Sequence, residues 1–263
     1  MLDIIVCIKQ VLDPEAPASV YEVDDEKKRV LQRGVPPVMS PFDENALEAA
    51  LRLKDDGKAR ITIMSLGTGL SKAVLRKSLA AGGDGLILLE DDAFSSLDSY
   101  TTVLVLAAAI KKTGKYDIIL TGMQSADSNA GVVGSGIAEI LGIPSVTTAR
   151  RVELQGDKKV RIERAVSDGY EMIEVNTPVL ITVSNDLGAL RSISTRALMA
   201  AQKKPIKTWN AKSLGIRLPL MGKTELLKVF IPQKEAKCEL VPGKTEEELG
   251  ANLALKLRET QII

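Results

Sequence analysis

Three stretches of small and polar residues carry the groups best suited to bind an anionic ligand. They are Cys7-Ile8-Lys9-Gln10, Ser65-Leu66-Gly67-Thr68-Gly69, and residues 121–136, which read TGMQSADSNAGVVGSG. Glycine lets backbone N–H groups approach a phosphate, and a helix that begins in such a loop favours negative charge at its N-terminus. Because each loop follows a predicted strand, the three are predicted to surround one nucleotide.

The third loop is the most specific, because it places polar side chains and glycines ahead of a predicted helix. Asp127, Ser128 and Asn129 precede Gly131 and Gly134. Such side chains cap helices, form turns and make hydrogen bonds. The same residues would also suit a helix that only packs closely on a sheet, so composition alone leaves both interpretations open.

The chain contains no histidine among its 263 residues, which removes several classes of enzyme site. A Ser-His-Asp triad and histidine-ligated zinc or non-haem iron are excluded. Cys7 and Cys238 lie far apart and outside any CxxC motif, so neither a zinc site nor a redox dithiol is predicted. We expect no catalytic residue and no metal site in this chain, and we expect its chemistry to come from a bound cofactor.

Charge and hydropathy exclude two classes of partner. The 35 basic and 34 acidic residues leave a net charge of +1, which provides no basic surface for nucleic acid. The N-terminus MLDIIVCIKQV has an acid where a secretory signal needs positive charge, and its apolar run is short. No later stretch reaches the roughly 20 apolar residues of a membrane span. The sequence therefore predicts a cytoplasmic protein without a membrane span.

Two familiar phosphate-binding motifs are present only in part. Gly67-Thr68-Gly69 lacks the third glycine of a dinucleotide fingerprint, because residue 72 is lysine. Gly243-Lys244-Thr245 resembles the end of a Walker loop, but Cys238 stands where the first glycine belongs. We interpret the second motif as the start of a helix.

Buried strands and amphipathic helices alternate over the first half of the chain. Apolar runs at 4–8, 61–64, 86–89 and 118–120 predict strands, and helical spacing at 45–54, 71–81, 97–112 and 132–141 predicts the helices between them. This alternation is typical of an α/β fold. It predicts a doubly wound, mostly parallel sheet with helices on both faces.

After Pro144 the pattern changes to alternating stretches at 146–154, 159–165 and 170–175, followed by a buried strand at 179–183. Turns at Gln155-Gly156-Asp157 and Ser167-Asp168-Gly169 separate the alternating stretches, which predicts an antiparallel extension of the sheet. The remainder is lysine-rich with few large apolar side chains. We predict a nucleotide-binding α/β domain over 1–190, then a partner-recognition helix and a C-terminal arm over 191–263 that packs on another chain.

Five blocks of sequence resemble the β subunit of electron-transfer flavoproteins in their order and spacing. They are 6–11 (VCIKQV), 39–42 (MSPF) with 45–50 (NALEAA), 65–69 (SLGTG), 122–134 with 137–139 (IAE), and 198–199 (LM) with 203–206 (KKPI). The resemblance covers residues 1–220 approximately. Because chance does not conserve five ordered blocks, the chain is identified as a member of this family.

The resemblance implies a doubly wound chain that joins a larger α subunit, with a redox-active FAD held mainly by that α subunit. It also implies an adenine nucleotide inside this chain, and it implies that Phe42 faces the flavin. The residues implied at the nucleotide site are Cys7, Lys9, Ser40, Ser65, Leu66, Gly67, Ser125, Asp127, Ser128, Asn129, Ala130, Gly131, Val132, Val133 and Gly134.

Departures from the family pattern bear on which nucleotide is bound. Members that hold AMP carry Asn-Gln-Thr where this chain has Gly131-Val132-Val133. Members that bifurcate electrons hold a second FAD there and oxidise NADH, and they resemble this chain at Val133-Gly134, although their usual Thr and Gln are Ala130 and Val132 here. The resemblance thus favours a second FAD over AMP, with NAD as a further ligand.

The resemblance also implies an acyl-CoA dehydrogenase or another flavin dehydrogenase as electron partner. Arg191, Thr195 and Arg196 are the predicted contact residues, with an exposed, solvated helix as the other interpretation. Thr195 occupies the position of a leucine that anchors some members to their dehydrogenase, so a different partner surface is expected. A second hypothesis, from another class, is a regulatory module of the same fold that senses an adenine nucleotide without redox change.

Overall fold

Strands and helices alternate through most of the computed structural model, which describes residues 1–57, 59–156, 158–232 and 238–263. The strands are β1 (Leu2–Cys7), β2 (Gln10–Val11), β3 (Tyr21–Asp24), β4 (Arg29–Gln32), β5 (Val38–Met39), β6 (Ala59–Gly67), β7 (Gly85–Glu90), β8 (Ile118–Gly122), β9 (Ser145–Gln155), β10 (Lys159–Val166), β11 (Gly169–Asn176), β12 (Val179–Val183) and β13 (Ile206–Trp209). The α-helices are α1 (Pro41–Asp56), α2 (Lys72–Ala81), α3 (Ser99–Thr113), α4 (Val133–Leu141), α5 (Thr195–Gln202) and α6 (Glu246–Glu259).

One large sheet organises the fold, with the strand order β11-β10-β9-β12-β8-β1-β6-β7-β13. Along this spatial order, each pairing from β9 through β12, β8, β1, β6 and β7 to β13 is parallel. At the other end of the sheet, β10 pairs antiparallel with both β9 and β11. This arrangement confirms the predicted doubly wound, mostly parallel sheet and its antiparallel extension.

The central strands are apolar along their whole length because helices cover both faces of the sheet. In β1, Ile4 and Val6 pack in the same cluster as α1 and α2, while Ile5 and Cys7 pack with α3 and α4. Residues 4–8 are all at most 7% exposed. A strand buried on both faces reads as a continuous apolar run, which explains why the sequence showed no alternation here.

The chain reverses its direction of winding between β1 and β8. From β1 it proceeds through α1 to β6 and through α2 to β7, and it then crosses back through α3 to β8 on the other side of β1. The loops that follow β1 and β8 therefore leave the sheet side by side and in opposite directions. In an open α/β sheet this crevice, at the carboxyl ends of the strands, is the usual position of a ligand site.

Two small ladders and one edge strand were not predicted from the sequence. β2 pairs with β5, β3 pairs with β4 in a hairpin, and β13 adds to the edge of the main sheet beside β7. The charged residues 25–28 form the exposed turn of the hairpin. Of the turn predicted at Gln155-Gly156-Asp157, Asp157 lies outside the described residues.

The chain forms two compact units, Met1–Val229 and Phe230–Ile263. In the first unit, β13 pairs with β7 and Lys204 Nζ donates a 2.7 Å hydrogen bond to the Gly83 carbonyl. The predicted packing of 191–263 on another chain stays a prediction. None of the helices in the described ranges combines the length and the hydropathy that crossing a membrane requires.

The second unit contains α6, whose first turn is capped by its own side chains. Thr245 Oγ1 accepts a 3.2 Å hydrogen bond from the Glu248 N–H, and Glu248 Oε2 accepts a 2.8 Å bond from the Lys244 N–H. This reciprocal pattern is close to a capping box. It confirms that Gly243-Lys244-Thr245 begins a helix.

Candidate functional site

The first and third loops meet over the crevice between β1 and β8. Lys9 Nζ, after β1, forms a 2.6 Å ion pair with Asp127 Oδ2, after β8. Ser40, which is fully buried immediately before α1, accepts a 3.4 Å hydrogen bond at Oγ from the Ala126 N–H. The structure therefore brings together the predicted residues of the first loop, the start of α1 and the third loop.

The second loop joins this assembly through β6, the other neighbour of β1. The Ile8 N–H donates to the Met64 carbonyl at 2.8 Å, and the Ser71 N–H donates to Gln10 Oε1 at 2.7 Å. Ser65, at the end of this contact, is fully buried, and its Oγ has no hydrogen-bond partner among the described residues. A buried hydroxyl without a partner costs free energy, so this atom calls for a ligand or a water molecule.

Helix N-termini at the crevice lack side-chain caps. Helices α2, α3, α5 and α6 each have a Ser, Asp or Thr side chain that accepts a hydrogen bond from their first turn. Helices α1 and α4 begin at the crevice after Ser40 and Val132 without such a cap. In α4 the first-turn N–H groups and the positive end of the helix dipole are therefore available to an anion, whereas in α1 the N–H groups of Asp43 and Glu44 donate to the Ser40 carbonyl.

Glycine at position 134 lets α4 lie directly on the sheet at this point. A Cβ atom there would lie 2.7 Å from Thr121 Oγ1 and 2.7 Å from Thr182 Cγ2. The approach to α4 also needs left-handed backbone at Asn129 (φ 49°) and Gly131 (φ 65°). These conformations direct the loop across the crevice before the helix begins.

The most exposed part of the third loop runs from Asp127 to Val132. It is held by a 2.9 Å bond from the Asn129 N–H to the Ser125 carbonyl and by a 3.1 Å contact between Ser125 Oγ and Ser128 Oγ. Val133 is half-buried and Gly134 is buried. The predicted residues of this loop thus form a turn that rises from the sheet.

A buried carboxylate that the sequence analysis did not select lies beneath the loops. Asp43, in the first turn of α1, is 7% exposed, and its oxygens accept hydrogen bonds from the Lys9 N–H at 2.8 Å and the Gly122 N–H at 2.9 Å. Burial raises the pKa of Asp43 to about 7, although both N–H groups and the Lys9 charge oppose the shift. Its position after Ser-Pro-Phe was the only sequence signal, and an acid in a first helical turn is usually no more than a favourable dipole contact.

Two other titratable groups at the crevice have shifted pKa values. Burial raises the pKa of Cys7 to about 12, with a further contribution from Asp43, so the thiol stays protonated at neutral pH. Burial works to raise the pKa of Asp127, but the hydrogen bond and charge of Lys9 outweigh it and leave that pKa lowered. The Cys7 thiol is therefore neutral, and Lys9–Asp127 is a charged pair.

Comparison with known proteins gives the family. The model of the electron transfer flavoprotein domain matches residues 28–214. The chain belongs to the electron transfer flavoprotein family. This assignment confirms the resemblance and the electron-transfer role inferred from the sequence.

Relatives in this family match the whole chain. It is 38% identical to the electron transfer flavoprotein subunit beta of Clostridium acetobutylicum, with 100% of each chain covered. It is 36% identical to subunit CarD of the caffeyl-CoA reductase-Etf complex of Acetobacterium woodii, with 99% of each covered. It is 32% identical to the acryloyl-CoA reductase electron transfer subunit gamma of Anaerotignum propionicum, again with 99% of each covered.

The residues at the crevice fit the adenine nucleotide that membership in the flavoprotein family leads one to expect. The Ser65 hydroxyl, the uncapped N-terminus of α4 and the Lys9 ammonium group together provide neutral and positive donors for phosphate oxygens. Phe42 and Leu66 are half-buried at the same edge. The chemistry of this donor set is that of a phosphate-binding site.

An open cleft of about 440 Å³ adjoins the second loop. Its lining residues are Thr68, Gly69, Glu90, Asp91, Asp92 and Asn210. Three carboxylates make its field unfavourable for phosphate. The Asp91 carboxylate already has protein partners, since it accepts hydrogen bonds from the N–H groups of Ala93 and Ala211.

The residues predicted to contact a dehydrogenase lie away from the crevice. Thr195 and Arg196 are exposed at the start of α5, which Ser194 caps. Arg191 instead turns towards α1, where its guanidinium forms ion pairs with Glu48 at 3.0 Å and Asp55 at 2.8 Å. Their role in partner binding stays a prediction.

Proposed function

We propose that this chain is the nucleotide-binding subunit of an electron-transfer heterodimer, in which an α subunit and this chain share FAD. The fully buried Ser65 hydroxyl, which has no hydrogen-bond partner among the described residues and lies near the end of β6 beside β1, carries the proposal. Bound flavin supplies the transfer of one or two electrons. The chain's own residues bind and orient the nucleotide.

Each group at the crevice has a defined task in this proposal. The N–H groups in the first turn of α4 donate to phosphate oxygens, and Gly134 keeps that turn close to the sheet. Ser65 Oγ donates one hydrogen bond to a buried acceptor of the nucleotide. Lys9 contributes positive charge at the rim, where its pairing with Asp127 holds it in place. Phe42, half-buried at the start of α1, is the proposed flavin contact.

We infer that the nucleotide in this chain is a second FAD rather than AMP, and that NADH is the electron donor. The Gly131-Val132-Val133 stretch provides backbone donors but no side-chain donor for a terminal phosphate. Val132 is 52% exposed and leaves space on the loop's outer side. A pyrophosphate linked to a second ring system fits a stretch that offers only backbone donors better than a monophosphate does. A terminal monophosphate carries more charge and is bound more strongly by side-chain donors.

We propose a flavin dehydrogenase acting on a CoA ester as the redox partner. One relative is named as a subunit of a caffeyl-CoA reductase-Etf complex, and another as an electron transfer subunit of acryloyl-CoA reductase. The contact surface proposed for it is α5, where Met199 is 69% exposed beside Thr195 and Arg196. An exposed apolar side chain flanked by a charge is typical of a transient docking surface.

Co-expression with the α subunit tests the proposed function directly. We expect a yellow heterodimer that releases two FAD molecules on denaturation, quantified by chromatography of the extract. Release of one FAD and one AMP would overturn the choice of a second FAD. A stable, colourless chain that does not bind the α subunit would overturn the electron-transfer heterodimer. It would favour the regulatory module that senses an adenine nucleotide without redox change.

The Ser65 hydroxyl provides a point mutation that separates binding from folding. We expect Ser65→Ala not to lower the free energy of unfolding, because the buried hydroxyl has no partner to lose among the described residues. Nucleotide affinity should fall about tenfold, the effect of one buried hydrogen bond. Equilibrium dialysis and urea unfolding measure the two effects.

Ser78→Ala is the matched control, because Ser78 is equally buried but its Oγ donates to the Leu75 carbonyl at 2.6 Å. Affinity should be unchanged in this variant. Equal affinities in Ser65→Ala and the wild type would remove Ser65 from the site.

A further inference from the structure

The Asp43 carboxylate joins three segments that are far apart in sequence. It lies in the first turn of α1, and it accepts hydrogen bonds from the N–H of Lys9, 34 residues away, and from the N–H of Gly122, 79 residues away. Lys9 begins the loop after β1, and Gly122 ends β8. One side chain therefore holds both walls of the crevice and the helix between them.

The packing around this carboxylate is close. A Cβ at Gly122 would lie 2.7 Å from Asp43 Oδ1 and 2.7 Å from the carbonyl carbon of Phe42. The end of β8 thus reaches the first turn of α1 only because residue 122 has no side chain. Such a contact fixes the distance between the third loop and α1 to a few tenths of an ångström.

The charged and titratable groups that face Asp43 come from both walls. Lys9 attracts its negative charge, Asp127 repels it, and the protonated Cys7 thiol lies beside it on β1. Burial dominates and raises the pKa of Asp43 from its ordinary 3.8 to about 7. Since the folded pKa exceeds the unfolded one, ionisation of Asp43 lowers the free energy of unfolding as the pH rises through this range. The fold thus retains a carboxylate that costs it stability, which is common at functional sites.

We propose that Asp43 is a positioning residue whose carboxyl group ties the loops after β1 and β8 together and thereby retains the nucleotide. This inference rests on the proposed nucleotide site and adds a residue and a pH dependence to it. Its two oxygens accept one N–H group from each wall. Because burial in the crevice raises the pKa of Asp43 and opening to water returns that pKa towards its ordinary value, ionisation makes separation of the walls easier.

The retention of nucleotide should therefore depend on pH around neutrality. At pH 6 Asp43 is mostly protonated, which is the form that the closed crevice favours, whereas at pH 8 it is mostly ionised. We expect the wild-type heterodimer to release its adenine nucleotide about tenfold faster at pH 8 than at pH 6, because one pKa unit of linkage is a factor of about ten. Flavin release from the α subunit provides the internal reference.

Asp43→Asn is the test variant, because asparagine keeps the shape but has one acceptor and a non-titrating amide. We expect it to release nucleotide faster than the wild type does at pH 6, because one N–H group loses its acceptor, and to show no change in rate between pH 6 and pH 8. The comparison at each pH removes the titration of the ligand's own phosphate, and AMP and FAD are both used as probes.

Asp3→Asn is the matched control. Asp3 is also 7% exposed, but it lies at the opposite end of β1, where it pairs with Arg60 and Lys115. This variant should lose stability and keep the wild-type release rate and its pH dependence. A merely structural role of Asp43 would instead make the two variants alike.

Amide hydrogen exchange measures the opening of the two loops independently of nucleotide release. Asp43→Asn should raise exchange at least fivefold in peptides containing Lys9 and Gly122, and Asp3→Asn should not. If the wild type holds an adenine nucleotide but Asp43→Asn releases it at the same rate with the same pH profile, the role of Asp43 is overturned and the proposed nucleotide site stands. A wild-type heterodimer holding only the flavin of the α subunit would overturn the proposed site and the ligand role of Asp43 together.

Discussion

Gly134→Ala is expected to abolish nucleotide retention and to lower the free energy of unfolding by about 2 kcal/mol. The added Cβ would lie 2.7 Å from Thr121 Oγ1 and from Thr182 Cγ2, well inside van der Waals contact. Both atoms belong to central strands of the sheet, so α4 must move outwards instead. Its first-turn N–H groups then leave the position from which they reach a phosphate.

The expected loss is measured as nucleotide per heterodimer after gel filtration, together with urea unfolding. Gly250→Ala is the control, because Gly250 lies inside α6 and a Cβ there meets no atom within 4 Å. That substitution should raise stability slightly, since alanine is the better helix former by up to ~1 kcal/mol. Full nucleotide occupancy in Gly134→Ala would show that α4 does not contact the phosphate.

Arg191→Ala is expected to lower the free energy of unfolding by about 3 kcal/mol at pH 7. Glu48, whose side chain is only 7% exposed, receives hydrogen bonds from both the backbone N–H and the guanidinium of Arg191. Burial tends to raise the pKa of Glu48, but these bonds outweigh it and leave the pKa lowered. Removing Arg191 leaves a buried carboxylate with Arg52 as its remaining cationic partner.

The pH dependence of this effect follows from the lowered pKa of Glu48. The stabilisation by Arg191 is fully present above the ordinary pKa of 4.5 and is lost as the pH falls through the lower folded value. The difference in urea midpoint between wild type and Arg191→Ala should therefore shrink on going from pH 7 to pH 3. Arg196→Ala, on the exposed start of α5, should change stability by less than ~0.5 kcal/mol. An equally small effect of Arg191→Ala would mean that solvent satisfies Glu48.

The order and type of the main elements could be predicted because burial on two faces leaves a continuous apolar run in the sequence. The runs at 4–8 and 118–120 are such strands, and they became β1 and β8. The edge strand β13 could not be found this way, because Ile206–Trp209 has one apolar residue at each end and two exposed polar residues between them. Its pairing with β7 depends on a neighbour more than 100 residues away in the chain.

The loops of the candidate site were visible in the sequence because glycine and small polar residues are needed wherever backbone approaches a ligand or a sheet. Asp43 was not visible, because its sequence neighbours say nothing about the N–H groups of Lys9 and Gly122. Arg191 was selected from the sequence as a partner contact because it lies near the predicted docking helix. In the fold its guanidinium forms ion pairs with Glu48 and Asp55, which are more than 130 residues away in the chain.

Local composition and spacing were thus sufficient for the alternation of strands and helices, for the three loops and for the absence of histidine chemistry, since each is a property of contiguous residues. The strand order was not, because a reversal between β1 and β8 depends on which strands pair across long stretches of chain. That reversal places Lys9 beside Asp127, leaves Ser65 without a partner and buries Asp43 between two walls. Tertiary contacts alone decided these features, because hydrogen bonds and desolvation depend on distance in space and not on position along the chain.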